Sequence, residues 1–417
     1  MSKQLTWMVT MSYLYVDVDV DQPLPALTLG DADDGLGLVV RRRGTPVGFI
    51  LSEFPRGATV APDALDALIA TFCASRLVQE TVLDSLGGRG RPTEVSLTVA
   101  ICTHDRTAGL EELMASLLPL RNESTFEVLV VDNAPSDDAT SRFVASLSGV
   151  RYVREDRTGL DFARNRAIAE ANGELLAFLD DDVEVDRGWL EGLRLAWGEH
   201  PDAGCVTGLV LPFELVTQAQ ITFERYGGFR RGFDTLRYVG QSLPGNRLYP
   251  FGAGIFGAGC NMSFRRSLLT RLGGFDEALD TGRPLPGGGD LDMFHRVVRS
   301  GHPLVYEPRY AVFHKHRREH EQLRRQLWTW GTGFMAYVDK TFRADPVGNV
   351  KLVWLVAWWF RTHCKEVVRS LIGRGPLSPD LALAQLTGGV VGLSGSYGRS
   401  RRRSAAIRAR VAGQAIA

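Results

Sequence analysis

Ala177-Phe178-Leu179-Asp180-Asp181-Asp182-Val183 is a short apolar run that leads directly into three adjacent carboxylates. An apolar run of this kind suits a strand buried on both faces, as in a parallel sheet. Three neighbouring anions repel one another, and a fold tolerates that poorly without compensation. A divalent cation provides it, because hard oxygen ligands suit Mg2+ or Mn2+, which keep positions open for phosphate oxygens. The competing reading is a solvated acidic loop capping the next helix, whose Trp189 and Leu193 are spaced to face a core. Acidic triplets are common on surfaces but rare at the end of so apolar a strand, which favours the metal.

Outward from this run, strands and helices alternate. Val95–Cys102, Phe126–Val131 and Val150–Arg154 are further apolar runs, as is Leu175–Leu179 itself. Between them, 109–120, 138–148 and 162–171 read as helices. Strand-helix-strand alternation predicts an α/β fold with a doubly wound sheet, whose ligands sit beyond the carboxyl ends of the strands. Two other strand ends carry polar groups there, Thr103-His104-Asp105-Arg106 and Asp132-Asn133. Each is weak alone, since Asp and Asn also form turns and caps. Three acidic ends in one sheet make coincidence harder to sustain.

The flanks differ in texture. In 1–90, a small α+β domain of unknown role, 36–40 and 47–51 read as a hairpin around Arg43-Gly44-Thr45-Pro46. A helix follows from Pro62, with Leu65, Leu68, Ile69 and Phe72 on one face. Gly87–Pro92 reads as a linker into the 91–318 domain. A helical extension, 319–417, holds Leu323, Leu327, Trp330 and Phe334 at helical spacing. It also holds an apolar run, 352–360, between Lys351 and Arg361, and an arginine-rich tail. That run is too short to cross a bilayer as a helix, which takes about 20 residues. Trp354, Trp358 and Trp359 with basic flanks suit a helix lying on an anionic membrane surface, or one packed as core.

Forty-eight basic residues balance 48 acidic ones, so nothing overall points to a nucleic-acid partner. Cys73, Cys102, Cys205, Cys260 and Cys364 lie far apart without CxxC spacing, which argues against a zinc site and a disulfide framework. Met1–Asp21 shows no basic segment followed by an apolar core, so no secretory signal is expected and the cytoplasm, or its membrane face, is the expected location.

Thr103–Arg106, Val131–Asn133, Gly159-Leu-Asp-Phe-Ala-Arg-Asn-Arg166, Phe178–Asp182 and Gly288-Gly-Asp-Leu-Asp292 occur in the order seen in family-2 glycosyltransferases of the GT-A fold. The resemblance covers roughly 95–316, about half the chain, and the ordered combination is far more specific than any one motif. It implies a nucleoside-diphosphate-sugar donor, with Thr103, Asp105 and Asp132 at the nucleoside pocket and Arg164 and Asn165 near base and phosphates. Asp180, Asp181 and Asp182 would form the DxD segment, with Asp182 and Asp180 as metal ligands for Mn2+ or Mg2+. His314 or His316, in the basic cluster Phe313–Arg318, would add a metal or diphosphate contact.

Downstream, Gly257–Phe264 resembles the acceptor-side strand, with Asn261 in it. The family usually continues with a Glu-Asp pair whose Asp is the general base. Here Gly289 stands in place of the Glu, and Asp290 is kept. Asp290 is expected at the opening of a helix, where a base stays ionised and an N-cap equally fits. Asp292 could share the acceptor role or brace the helix.

The resemblance therefore implies inverting, metal-assisted sugar transfer to an acceptor hydroxyl on a small molecule, glycan or lipid-linked molecule. Gly289 motivates the rival, a nucleotide-sugar-binding protein with little turnover. A nucleotidyltransferase would need a glycine-rich loop after the first strand, which 103–107 lacks. A processive synthase would carry Gln-x-x-Arg-Trp, whereas Gln326–Trp330 lacks the arginine. The segment Phe213–Phe251, rich in aromatic and basic residues, is expected to shape the acceptor side.

Overall fold

The computed structural model describes residues 11–87, 90–121, 125–282, 285–345 and 348–414. The first ten residues and Gly88-Arg89 of the expected linker lie outside them. The chain divides into two compact units. One comprises Met1–Arg89, Pro212–Gly228 and Lys315–Leu323; the other comprises Gly90–Leu211, Phe229–His314 and Arg324–Ala417.

The first unit opens with β1 (Ser12–Asp19), β2 (Leu27–Thr28), β3 (Asp33–Arg42), β4 (Thr45–Glu53), β5 (Thr59–Val60) and α1 (Pro62–Ser85). β3 and β4 form the expected antiparallel hairpin. Its turn places Arg43 at φ 49° and Gly44 at φ 80°, the left-handed pair that matches the twist of a two-residue hairpin. β1 runs parallel to β3, a pairing between distant segments that local patterning does not announce. Leu36, Leu38, Val40, Val47 and Ile50 pack against Leu65, Ile69 and Cys73 of α1. Phe72, expected on that face, is instead 63% exposed, because Cys73 completes the 65–69–73 stripe.

The second unit runs through β6 (Leu97–Thr103), α2 (Thr107–Arg121), β7 (Glu127–Asn133), α3 (Ala139–Ala145), β8 (Val150–Glu155) and α4 (Leu160–Glu170). It continues with β9 (Leu175–Leu179), β10 (Val183–Val185), α5 (Trp189–Glu199) and β11 (Cys205–Pro212). α6 (Gln218–Arg225) follows in the first unit. β12 (Leu236–Tyr238), β13 (Asn261–Arg265), α7 (Arg266–Arg271), α8 (Gly289–Arg299) and β14 (Leu304–His314) complete the α/β part. Among the described residues the sheet order is β10-β14-β11-β13-β9-β6-β7-β8, with β12 beside β14. β9, β6, β7 and β8 are mutually parallel, whereas β13 pairs antiparallel with β9 and β11. This is the expected doubly wound mixed sheet, and it brings the carboxyl ends of β9, β6 and β7 to one edge.

The core explains the register. Leu110, Leu113, Met114 and Leu117 of α2 recur at helical spacing and bury against Val99, Ile101, Val128 and Val130. Each fully buried leucine of this kind contributes about 1.5–3 kcal/mol. In the same core cluster, α5 approaches β14 backbone to backbone. A Cβ at Gly192 would overlap the Arg309 carbonyl and stand 2.7 Å from the Tyr310 nitrogen, so glycine sets this spacing. β14 carries His314 to its last position, paired with Val183.

The carboxyl-terminal region is helical, as expected: α9 (His320–Ala344), α10 (Asn349–Leu371), α11 (Pro379–Val391) and α12 (Tyr397–Gln414). α10 settles its tryptophans differently. Trp359 is buried and stacks on Phe334 of α9, whereas Trp354 and Trp358 are 66% and 48% exposed. No described helix is long and apolar enough to cross a membrane.

Candidate active site

The sheet edge gathers the expected carboxylates. Thr103 at the end of β6 donates its hydroxyl to Asp181 Oδ2 at 2.7 Å. Arg106 reaches Asp181 Oδ1 at 2.6 Å and Asp182 Oδ2 at 3.3 Å. His314 Nε2 stands 3.4 Å from Asp182 Oδ1, with both side chains buried. Burial pushes the Asp180 carboxyl up to about 7; Asp182, Asp181 and Asp290 add to the rise, and Arg164 opposes it. Next along the edge, Asp132 is fully buried at the end of β7. Its Oδ2 accepts from the Tyr152 hydroxyl at 2.9 Å, while Oδ1 has no hydrogen-bond partner among the described residues. Burial raises its carboxyl above the usual range, and the Tyr152 bond opposes that. Asp105 sits in the turn after β6 at φ 52°, accepting from the Ser136 N–H at 2.9 Å.

Asp182 and His314 offer a carboxylate oxygen and an imidazole nitrogen from adjoining strand ends, a donor pair that suits Mn2+ and tolerates Mg2+. Among the described residues no three His, Cys, Asp or Glu side chains converge into a full cage. A cation that shares its coordination with substrate phosphates needs one or two protein ligands. The residues present therefore fit such an ion.

A second cluster lies at the start of α8. Gly288, at φ 109°, caps the helix, so Asp290 is its second residue rather than the cap expected from spacing. Asp290 Oδ2 accepts from the Gly259 N–H at 3.1 Å. Arg164, buried on α4, pairs with Asp161 at 3.0 Å and Asp280 at 3.6 Å. Burial pushes the Asp280 carboxyl up to about 6 against the pull of Arg164. One guanidinium thus stands among several acids, Asp290 and Asp180 included, whose fields both reach it.

Four of the expected site residues make side-chain contacts within the scaffold. Asn261 is fully buried; it accepts from Trp189 Nε1 at 3.2 Å and donates to the Leu209 and Tyr310 carbonyls at 3.2 and 2.8 Å. Its amide holds β13 to α5, β11 and β14. Asn165 exchanges two hydrogen bonds with the Phe275 backbone, at 3.0 and 2.7 Å, and so ties α4 to the loop before α8. Asp292 is buried in an ion pair with Lys340 of α9 and takes Arg296 Nε at 2.8 Å, so it braces α8. His316 belongs to the first unit, where its Nε2 meets Glu224 at 2.8 Å; of the two histidines, His314 is the one beside Asp182.

The segment Phe213–Phe251 divides. Phe223 packs on His316, and Arg225 bonds to Tyr13 and Glu53, all inside the first unit. Phe229 lies in the second unit with its ring 4.9 Å from the His314 ring. Asp280, Asp161 and Arg106 received no role from sequence. Asp280 falls between motifs, and its left-handed φ of 50° is the kind of signal that appears only in three dimensions.

The family described as Glycosyl transferase family 2 matches residues 98–273. A pre-mycofactocin glycosyltransferase of Mycobacterium tuberculosis is 28% identical over 273 residues, covering 64% of this chain and 53% of the relative. This chain therefore spans about half the length of that curated relative. A glucosyl-dolichyl phosphate glucuronosyltransferase of Haloferax volcanii is 25% identical over 236 residues, 53% of this chain and 69% of the relative. A solved mannosyltransferase of Pyrobaculum calidifontis, in complex with GDP-Man and Mn2+, superposes at a TM-score of 0.45. It is 19% identical and covers 84% of this chain and 96% of that one.

Proposed function

Because the chain carries a family-2 glycosyltransferase domain over residues 98–273, we propose that it transfers a sugar from a nucleoside diphosphate to an acceptor hydroxyl with inversion. The observation that carries this reading is the pairing of two clusters: Asp182 with His314 at the sheet edge, and Asp290 at the start of α8, within electrostatic reach of Asp180.

In this reading Asp290 accepts the acceptor hydroxyl's proton while the acceptor oxygen bonds to the anomeric carbon. The bond from that carbon to the diphosphate breaks, and its electron pair leaves with the phosphate oxygen. Asp290 is the second residue of α8, and the Gly259 N–H fixes its orientation. Asp132, with one buried oxygen open, suits a ribose hydroxyl or base N–H. Asp182 and His314 would hold the divalent cation, which supplies positive charge to the departing diphosphate. Arg164 stays ionised between the two clusters and offsets their surplus of negative charge.

The test is thermal melting and calorimetry with uridine and guanosine diphosphate sugars, with and without Mn2+. Saturating ligand at a hundredfold excess over Kd should add about 2.7 kcal/mol of stability, and Mn2+ should be required for most of it. Absence of nucleotide binding with either Mn2+ or Mg2+ removes the reading. Gly289 keeps one alternative in view, a protein that binds donor with little turnover; donor consumption by the wild type decides against it.

The exposed stripe of α10 supports a further part of the proposal, contact with an anionic membrane surface. Val350, Val353, Trp354 and Trp358 are exposed on this helix together with Arg361, Lys365 and Arg369. Aromatic and basic groups in this arrangement suit a helix lying at the headgroup level. Trp354→Ala/Trp358→Ala should release the protein from phosphatidylserine vesicles in a sedimentation assay. Wild type that stays in the supernatant at low salt rejects the contact.

A further inference from the structure

The glycine at 289 is there for space, not for conformation. Its neighbour Gly288 occupies the left-handed region at φ 109°, which favours glycine. Gly289 has no such φ and already belongs to α8. What excludes a side chain at 289 is a neighbour on another helix. A Cβ there would overlap Asp161 Oδ2 and stand 2.7 Å from its Cγ and Oδ1. Asp161 is the second residue of α4 and is fully buried. Its Oδ1 takes Arg164 Nη1 at 3.0 Å, while Oδ2, the oxygen against Gly289, has no hydrogen-bond partner among the described residues. Leaving such an atom buried and unpaired is destabilising. A carboxylate kept there at that cost calls for a use.

Its surroundings suggest one. The Gly289 N–H donates to Asp280 Oδ2 at 3.0 Å, and Asp290 is the next residue. Arg164, which Asp161 holds, comes within 3.2 Å of the position a Cβ at Gly259 would take, and Asp290 Oδ2 accepts from the N–H of that same Gly259. Asp161 and Arg164 on α4 and Asp290 on α8 are therefore gathered around residues 259 and 289.

We propose that Asp161 supplies, from α4, the carboxylate that a side chain at 289 would otherwise bring to the start of α8, and that it is a positioning residue for Asp290. The two side-chain spaces are one space, filled from either helix but not from both. Asp161 acts through Arg164, fixing the guanidinium against the Gly259 loop that orients the Asp290 carboxylate. This rests on the reading of Asp290 as the base, and the experiment separates the two ideas.

Four proteins are compared: wild type, Asp161→Ser, Gly289→Glu and Asp161→Ser/Gly289→Glu. Melting temperature needs no substrate. Gly289→Glu alone should melt lowest, and the double variant should recover most of the loss, since removing the Asp161 carboxylate clears the space. Additive melting shifts would overturn the shared space. Turnover is read as release of nucleoside diphosphate from uridine and guanosine diphosphate sugars with Mn2+. Asp161→Ser should lose about tenfold to a hundredfold in kcat, the scale of a small misplacement of a reacting group. Donor KM should stay within about threefold, as for a group that does not bind donor. The exchange variant should regain most of the kcat, which a packing role alone would not produce. Wild-type kcat in Asp161→Ser, or a folded exchange variant without recovery, overturns the positioning role. If wild type releases no nucleoside diphosphate from any donor, the transferase reading fails and the positioning role with it, while the melting cycle still reports on the shared space.

Discussion

Asp290→Asn is expected to lower the transfer rate by about 10²- to 10⁴-fold, the contribution typical of a positioned general base. The substitution keeps the size of the side chain but cannot accept a proton from the acceptor hydroxyl. In the native site Oδ2 takes the Gly259 N–H and Oδ1 takes the Leu291 N–H at 2.8 Å. An amide offers one acceptor oxygen, so one of these bonds is lost and a modest drop in melting temperature accompanies the loss of rate. Donor affinity should survive, because Asp290 lies at the start of α8 and not at the ends of β6, β7 and β9. Steady-state kinetics at saturating donor, paired with donor calorimetry, separates these effects. A variant that turns over at the wild-type rate would show that the proton leaves by another route.

The second large effect belongs to Asp182. Asp182→Ala removes the carboxylate that His314 approaches most closely and half of what Arg106 grips. The increment in nucleotide affinity brought by Mn2+ should vanish, and the rate should fall by about a hundredfold or more, since a bound cation supplies several kcal/mol of charge stabilisation. His314→Ala should reduce the same increment and leave metal-free affinity unchanged. Titration of nucleoside diphosphate with and without Mn2+ reads both variants. An undiminished Mn2+ effect in Asp182→Ala/His314→Ala would place the cation elsewhere.

Much of this site could be read before any coordinates. Buried parallel strands advertise themselves as unbroken apolar runs, so Leu175–Leu179 and its neighbours were legible, and with them the edge where Thr103, Asp132 and Asp180 emerge. Asp290 was legible from motif order. What could not be read were the partners of polar side chains. Asn261 and Asn165 stand inside motifs, yet their amides are satisfied by carbonyls 49 and 110 residues away. Asp292 is neutralised by Lys340 on a helix of the carboxyl-terminal region. Two histidines with one residue between them, His314 and His316, go to different units because β14 ends at His314 and the chain enters the first unit at Lys315. Patterning along a chain reports burial and period. It does not report which donor meets which acceptor across the fold.

Arg106 has a bearing on how such a protein would come to hold its metal. Its guanidinium spans Asp181 and Asp182 with the anions already partly compensated. The acidic turn is thus assembled around an organic cation belonging to the polypeptide itself, and folding need not wait for an inorganic one. Uptake of the ion becomes an exchange of counterions on a finished scaffold, unlike zinc fingers, where chelation unravels the domain. Stripping the protein with a chelator would then silence donor recognition and leave its architecture standing.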